Sequence, residues 1–544
     1  MDLGVLEDTT HLLNHYSLSR GEKMENNNKN ILLAILIVTV LIIGYTYFFL
    51  PKETVQTQKN QSTITENQTK KSTLTKHQIV APQKHNITGK IITVSTDNYI
   101  LKISTANGAI HELILKKYTI NKKYVKLVKS NGKYNTLETV FKDKPIESLE
   151  ETKPYTANSY NIQLTKNKKT ATLILRKSNG SVTIEKTFTF RNGIYAFDFS
   201  VKVLRDGKPI KEEFSVYAGP DLGDLQKKKY SHLGAVALVG NDKIKTDKKI
   251  KPDMDIHWIA LESKYFCFVF LPIHTNSLLA GYTKLNGGRY IYSNLFTPAS
   301  LEIYAGPKSN EEIAAVDHKL DKIIRFGMFG FIGKPLLYVL NWLYSIFGNY
   351  GVAIIVLTLM IRIVFYPLSF KSYKSMREMA KLQPKLKELQ AKYKGKPDQL
   401  NKATMELYKK HKVNPFGGCL PMVIQIPVFF ALYNVLLNAI ELRGAPFMLW
   451  ITDLSSKDPY YILPIIMGIT MFIQQKLTPA TGDPKQQKIM MFLPIVFTIM
   501  FMGFPSGLVL YWTTNNVLTL IQQLIDSQII KAQERKLKHK NAEA

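Results

Sequence analysis

The chain has 544 residues, a formal net charge of +30, 45% hydrophobic residues and two cysteines. That length allows a sizeable core and roughly two to four domains. The positive balance sits in a Lys-, Thr- and Asn-rich background without a basic–aromatic stacking pattern or a nucleic-acid motif, which argues against specific nucleic-acid binding.

Residues 1–30 read as a cytoplasmic N-terminus. Within it Met24, opening MENNNKN, is the expected start, and Arg20-Gly21-Glu22-Lys23 fits a translated purine-rich ribosome-binding site. Residues 31–50, ILLAILIVTVLIIGYTYFFL, are continuously apolar and no small-residue cleavage site follows. They read as an uncleaved signal anchor, with Lys29 keeping the N-terminus inside. Residues 51–85 are too poor in large apolar side chains to bury a core and read as a flexible tether.

From 86 to 325 the period becomes two. Val182, Ile184, Phe188 and Phe190 alternate along one segment, and Phe197, Phe199, Val201 and Val203 along the next. Asn192-Gly193 separates them, and Asn107-Gly108 and Asn179-Gly180 hold similar places. Asn-Gly between alternating runs predicts hairpins with two left-handed turn positions. The region is expected to be an antiparallel β-sandwich outside the membrane, without a catalytic constellation.

Residues 326–348 change to a helical period. Lys334, Tyr338, Asn341 and Ser345 form a narrow polar stripe, Pro335 suits a first helical turn, and Gly348-Asn349 stops the helix. Its apolar face reads as a helix lying in the membrane interface. Residues 349–370 contain GVAIIVLTLMIRIVFYPLSF, long enough to cross a bilayer yet carrying Arg362. A charge at that depth costs at least about 2.5–3.5 kcal/mol and faces a wet cavity or a partner.

Residues 371–416 read as a cytoplasmic helical hairpin. Met379, Leu382, Leu386, Leu389 and Tyr393 form one arm, and Leu400, Thr404, Leu407 and His411 the other. Pro384 must kink or start its helix. Residues 371–412 hold 13 Lys or Arg against four Asp or Glu. Further spans are expected at 417–440, 460–476, 488–504 and 507–526, with loops at 441–459 and 477–487 and a basic tail at 527–544. Basic loops alternate with acidic or uncharged ones, so six spans put both termini inside and the β domain outside. Cys267 and Cys419 then lie on opposite sides and make neither a disulfide nor a metal site.

Arg362 and Gln425 each lie about eight residues from the inner end of their spans, at similar depth. Thr358 shares the Arg362 face. Trp512, Thr513, Asn515 and Asn516 are expected further out, near the level of Thr358. No span shows a carboxylate at matching depth, so Arg362 reads as an unpaired cation in a cavity, with a pairing to Glu441 or a backbone carbonyl as the structural alternative. Met467, Met471, Met490, Met491, Met500 and Met502 offer flexible thioethers to varied apolar sequences, or simply fill the core. Amides such as Asn434 and Asn438 suit interhelical hydrogen bonds.

Four stretches carry a resemblance: GNYGVAIIVLTLMIRIVFYPL, KVNPFGGCLPMVIQIPVFFALY, APFMLWITDLSSKDPYYILPIIMG and FPSGLVLYW. In this order and spacing, over about 325–530, the chain resembles the YidC membrane protein insertases. TDNYILKISTANGAI is similar to the periplasmic domain of their Gram-negative members. The absence of a lipoprotein cysteine near residue 50 agrees with that type. The resemblance implies an α-helical membrane bundle with a five-helix core plus the β domain, and a hydrophilic groove open to cytoplasm and lipid. It places Arg362, Thr358, Gln425 and Trp512 in the groove, and Phe429, Met467, Met471 and Met500 on a substrate slide. Many members have tyrosine where Trp512 stands. Implied partners are nascent membrane proteins, the Sec translocon, membrane lipids, and the ribosome and signal recognition particle pathway, although the basic tail is short. No cofactor, metal or bond-making chemistry is implied. Three rivals are a small-solute or anion transporter with Arg362 as selectivity charge, a membrane hydrolase, and a carbohydrate-active β domain. The first lacks a visible inverted repeat, the second a nucleophile–base pair or HExxH motif, and the third rests on fold analogy alone.

Overall fold

The computed structural model describes residues 88–542, with breaks at 121–122, 130–133, 224–232, 246–255, 287, 317–318, 325, 412, 415–419 and 479–483. The expected anchor, the tether and the start at Met24 lie outside the described residues, as does Cys419. The described chain divides into a strand-rich unit and a helical unit that begins at Phe326.

The strand unit holds three sheets, of ten, five and four strands. In the largest, Thr170–Ser178, Val182–Arg191 and Ala196–Arg205 pair antiparallel, and Ala299–Pro307 and Phe266–Pro272 extend the sheet. Alternation buries Ile184, Phe188 and Phe190 on one strand and Phe197, Phe199, Val201 and Val203 on its neighbour. Phe188 opposes Phe199 in register, with ring centroids 5.0 Å apart. Phe266–Pro272 is buried at every position, as expected of a strand covered on both faces. The antiparallel expectation is corrected at one place. Ile91–Ser95 pairs parallel with Asn161–Gln163, and no hairpin can join parallel neighbours.

The three Asn-Gly pairs do sit in hairpins, but only their glycines are left-handed: φ is 63° at Gly108, 104° at Gly180 and 85° at Gly193. Each asparagine works through its side chain instead. Asn179 Oδ1 accepts from the Val182 amide (2.8 Å), Asn107 Oδ1 from Ala109 (3.2 Å), and Asn192 exchanges hydrogen bonds with Asp97. A single left-handed glycine marks the longer, bulged type of hairpin loop.

Between the sheets α1 (Lys144–Thr152) starts at Asp143, whose carboxylate accepts from the Ile146 amide (3.2 Å). It delivers Glu150 to two fully buried lysines, Lys186 (2.5 Å) and Lys177 (3.2 Å). The hydroxyls of Thr139 (2.8 Å) and Tyr155 (2.5 Å) donate to the same carboxylate. Burial alone would raise the Glu150 carboxyl, but the two ammonium groups hold it below the usual range. A short helix, α2 (Asn310–Ala314), follows the last strand.

The helical unit comprises α3 (Gly330–Phe347), α4 (Tyr350–Lys381), α5 (Gln383–Lys392), α6 (Pro397–Lys410), α7 (Leu420–Asn438), α8 (Ile462–Leu477), α9 (Pro484–Phe501) and α10 (Ser506–Ala542). Helix α3 lies within the expected 326–348, but it starts at Gly330, so Pro335 is its sixth residue rather than part of its first turn. It buries Leu337, Leu340 and Leu343 and exposes Phe331, Tyr338, Trp342 and Ile346. The exposed face is therefore more apolar than the expected stripe. Gly348, left-handed at φ 64°, ends α3, and the Asn349 side chain caps α4.

Helix α4 runs unbroken for 32 residues, so it includes the start of the expected hairpin as well as the expected span. Pro384 lies in the first turn of α5, and the turn before α6 uses Gly395 (φ 82°). The hairpin core is Met379, Leu382 and Val413 with Met376, Leu407 and Tyr408. Leu386, Leu389 and Tyr393, expected in that seam, are only half-buried. Helix α10 continues for 37 residues, so the basic tail extends the helix of residues 507–526. Helix α8 packs closely on α9 at Gly468, where a Cβ would run into the Thr498 side chain. Among the described residues, α4 is the one helix long and apolar enough to cross a bilayer by itself. Shorter apolar helices are Ile424–Asn438, Ile462–Leu477 and Met490–Phe501.

Candidate functional site

Helices α4 and α10 present polar rows to each other across an otherwise apolar packing. On α4, Thr358, Arg362 and Tyr366 recur every four residues; on α10, Asn515, Thr519, Gln522 and Asp526 follow 3–4 spacing. Arg362 Nε donates to Asn515 Oδ1 (2.9 Å) and Nη2 to Thr519 Oγ1 (2.5 Å). Its Nη2 also points at the Asn515 carbonyl (3.4 Å), which takes the Thr519 hydroxyl as well (2.6 Å). From α7, Gln425 Nε2 donates to the same Asn515 Oδ1 (3.2 Å). Asn515 thus joins three helices.

Arg362 has no ion pair, from Glu441 or any other acid, among the described residues; neutral oxygens, one of them the Asn515 backbone carbonyl, hold its planar fork. Asn515, expected above the arginine, bonds it directly, so α10 sits about one turn deeper than its sequence position suggested. Spacing could have shown this. Asn515 and Thr519 are four residues apart and match the two ends of a guanidinium.

Two turns further along α10, Asp526 is 1% exposed. The Tyr366 hydroxyl donates to its Oδ1 (3.1 Å) and Gln522 Nε2 lies 3.5 Å from its Oδ2. Beyond it, Arg377 donates to the Ser527 carbonyl (3.2 Å) and Lys381 meets Glu534 (2.6 Å). Thr519 and Asp526 are absent from the expected groove residues, although both follow the 3–4 row that begins at Asn515.

The remaining expected residues divide. Trp512 packs edge-on to Phe429 (4.7 Å between centroids) and against Phe501 (5.2 Å) and Phe497 (6.0 Å). Its Nε1 is buried and has no hydrogen-bond partner among the described residues. Thr358 is buried, and its hydroxyl donates to the Ile354 carbonyl (2.6 Å), so it lines the row by position rather than by a free hydroxyl. Met467 is completely buried and belongs to the helix core; Met471 is half-buried and Met500 is exposed. The Asn434 amide donates within its own helix to the Phe430 carbonyl (2.7 Å).

Around this polar seam the outer surface is apolar. Leu359, Ile363 and Val364 on α4, Ile465, Ile469 and Ile473 on α8, Phe492, Ile495, Val496 and Ile499 on α9, and Ile521 and Ile525 on α10 are all exposed. A patch this extended suits lipid, not water. The loop after α7 is tied down. The Asp453 carboxylate accepts from Gly444 N (2.9 Å), Ser455 N (2.8 Å) and Ser456 Oγ (2.6 Å), and Ser506 Oγ donates to the Ser456 carbonyl (2.7 Å). Burial alone would raise the Asp453 carboxyl, but these donors hold it below its ordinary value.

Residues 342–534 match a family described as the 60Kd inner membrane protein, and residues 91–339 match the YidC periplasmic domain. The chain is 36% identical over 524 residues to the membrane protein insertase YidC of Geotalea daltonii, covering 91% of this chain and 98% of that one. The chain belongs to the YidC family of membrane protein insertases. The YidC of Citrifermentans bemidjiense is 40% identical over 455 residues, covering 80% of this chain and 85% of that one. A crystal structure of an active YidC insertase aligns over 91% of this chain and 99% of its own, at 19% identity and a TM-score of 0.37. As a YidC-family member the chain is an inner-membrane protein, and its strand unit is the periplasmic domain. Its activity is insertion rather than bond-making catalysis.

Proposed function

We propose that the chain inserts and helps fold membrane proteins through a groove between α4, α7 and α10, with Arg362 as its attracting charge. The observation that carries this reading is the way Arg362 is held. Asn515 and Thr519 fix the guanidinium without cancelling its charge. A client carboxylate drawn from the cytoplasm supplies the missing counter-charge, a polar backbone supplies acceptors, and the hydrophobic segment then leaves across the exposed apolar faces into lipid. Hydrophobic transfer drives the step. For acidic flanks the membrane potential adds about 2.3 kcal/mol per charge per 100 mV. In this reading six spans leave both termini cytoplasmic. Helices α5 and α6 and the C-terminal part of α10 face the cytoplasm, where they meet the ribosome and the signal recognition particle pathway. The Sec translocon is a partner for clients too complex to insert alone. Gln425 joins Arg362 on the groove wall, with Thr358 one turn further along it. Trp512 with Phe429 forms its apolar end, and Met471 and Met500 begin the slide.

A stalled nascent chain carrying one photo-crosslinking residue tests the reading. Crosslinks to probes at Gln425 and Trp512 are expected. A client that inserts while contacting neither removes the groove.

A further inference from the structure

Among the described residues Asp526 is the one buried carboxylate of the seam, and the insertion groove makes no use of it. Among those residues its two oxygens meet only neutral donors, the Tyr366 hydroxyl and the Gln522 amide. Cations along the same seam are committed elsewhere: Arg362 to Asn515 and Thr519, Arg377 to the Ser527 carbonyl, and Lys381 to Glu534. A covered carboxylate without a cation is costly to keep. Tyr366, which donates to it, is itself 37% exposed.

We propose that Asp526 is a cation subsite at the cytoplasmic mouth of the Arg362 groove, taking a lysine or arginine of the client flank that is retained inside. The proposal rests on the insertase reading and deepens it with a second, opposite charge. Thr519, which holds Arg362, and Asp526 are seven residues apart on α10, roughly 10 Å along the axis. About three residues of extended client bridge that distance. A segment entering from the cytoplasm therefore meets a negative site first and a positive site deeper. A basic residue stops at the mouth by displacing the tyrosine hydroxyl. An acidic residue is repelled there and favoured further in. The two charges together sort the retained flank from the translocated one.

The test uses the full chain in proteoliposomes and a single-spanning client in two forms, with lysines or with glutamines on the retained flank. Asp526→Asn is expected to slow insertion of the lysine form about three- to tenfold, the scale of one partly desolvated ion pair, and to leave the glutamine form unchanged. Asp526→Glu should restore the preference. Tyr366→Phe removes the tyrosine's hydrogen bond and should keep or sharpen it. A photo-crosslinker on the retained flank should mark α10 near residue 526. Equal slowing of both forms by Asp526→Asn makes the residue structural only and overturns the proposal, as does no slowing of either. Arg362→Ala, assayed beside it on a client with an acidic translocated tail, separates the two readings. If that variant impairs insertion while Asp526→Asn is silent, only the cation subsite falls; if neither variant discriminates, the groove reading falls as well.

Discussion

Replacing Arg362 probes whether its charge acts on clients or only holds helices together. Its guanidinium makes two short side-chain bonds, to Asn515 (2.9 Å) and Thr519 (2.5 Å). Arg362→Ala deletes both but leaves the Gln425–Asn515 bond (3.2 Å), so α7 and α10 stay linked. A client carboxylate that reaches the guanidinium gains about 1.5–3 kcal/mol, the range for a hydrogen bond to a charged group. At about 1.4 kcal/mol per factor of ten, insertion of an acidic-tailed client should slow about ten- to a hundredfold. A neutral-tailed client loses only the contribution of helix packing, and its rate should stay within about threefold. Arg362→Lys keeps the charge but replaces a planar fork with a point donor, so it should retain most of the acidic-client rate. The assay is co-translational insertion into proteoliposomes, read as protease-protected client against time. Equal slowing of acidic- and neutral-tailed clients by Arg362→Ala would refute the attraction argument and leave Arg362 as a structural clamp.

Other consequences lie away from the groove. Glu150→Gln strips the counter-charge from two buried lysines, Lys177 and Lys186. It should destabilise the strand unit by about 3–5 kcal/mol, seen as lost hydrogen-exchange protection in α1 and the strands that carry those lysines. Glu147 behaves oppositely with pH. Burial raises its carboxyl from 4.5 to about 7, outweighing the Phe141 amide that donates to it. The folded state therefore holds its proton longer than the unfolded state, and stability falls as pH rises between about 4.5 and 7. Because the side chain is partly exposed, the loss should be about 1–2 kcal/mol after screening, and Glu147→Gln should abolish that slope in denaturant titrations of the full chain. Asp453→Ala removes the acceptor of three donors in the loop after α7. Amide exchange at Gly444 and Ser455 should accelerate, and the depressed carboxyl means the loop also loosens as pH falls through its folded value.

Alternating runs made the strand unit legible, since each of Phe188, Phe190, Phe197 and Phe199 is buried on the face its period assigns. Tertiary detail was less accessible. A parallel pair such as Ile91–Ser95 with Asn161–Gln163 joins segments far apart in sequence, and nothing in either segment announces the other. The ion cluster at Glu150 was legible only in part: Lys177 falls on the buried face of Leu173 and Leu175, and Lys186 on that of Ile184 and Phe188, but nothing in the sequence names Glu150 as their shared partner. Among the helices, apolar stretches were visible but their ends were not. Charged residues after 370 and after 526 signal departure from lipid, not the end of a helix, so α4 and α10 run on as single rods.

Arg362 and Asp526 gain meaning from what does not contact them. Had Asp526 stood one turn nearer on α10, it would have paired with the guanidinium, and the two charges would have cancelled in a low-dielectric seam. Two turns of helix keep them apart, and neutral groups fill the interval. Asn515 and Thr519 accept from the cation, while the Tyr366 hydroxyl donates to the anion and the Gln522 amide lies 3.5 Å from it. Hydrogen bonds lower the desolvation cost of each charge without removing its field. A seam built only for stability would gain by pairing the ions or replacing both with apolar side chains. Keeping both, separated and each held by neutral partners, suits a site whose counter-charges arrive with the client and leave with it.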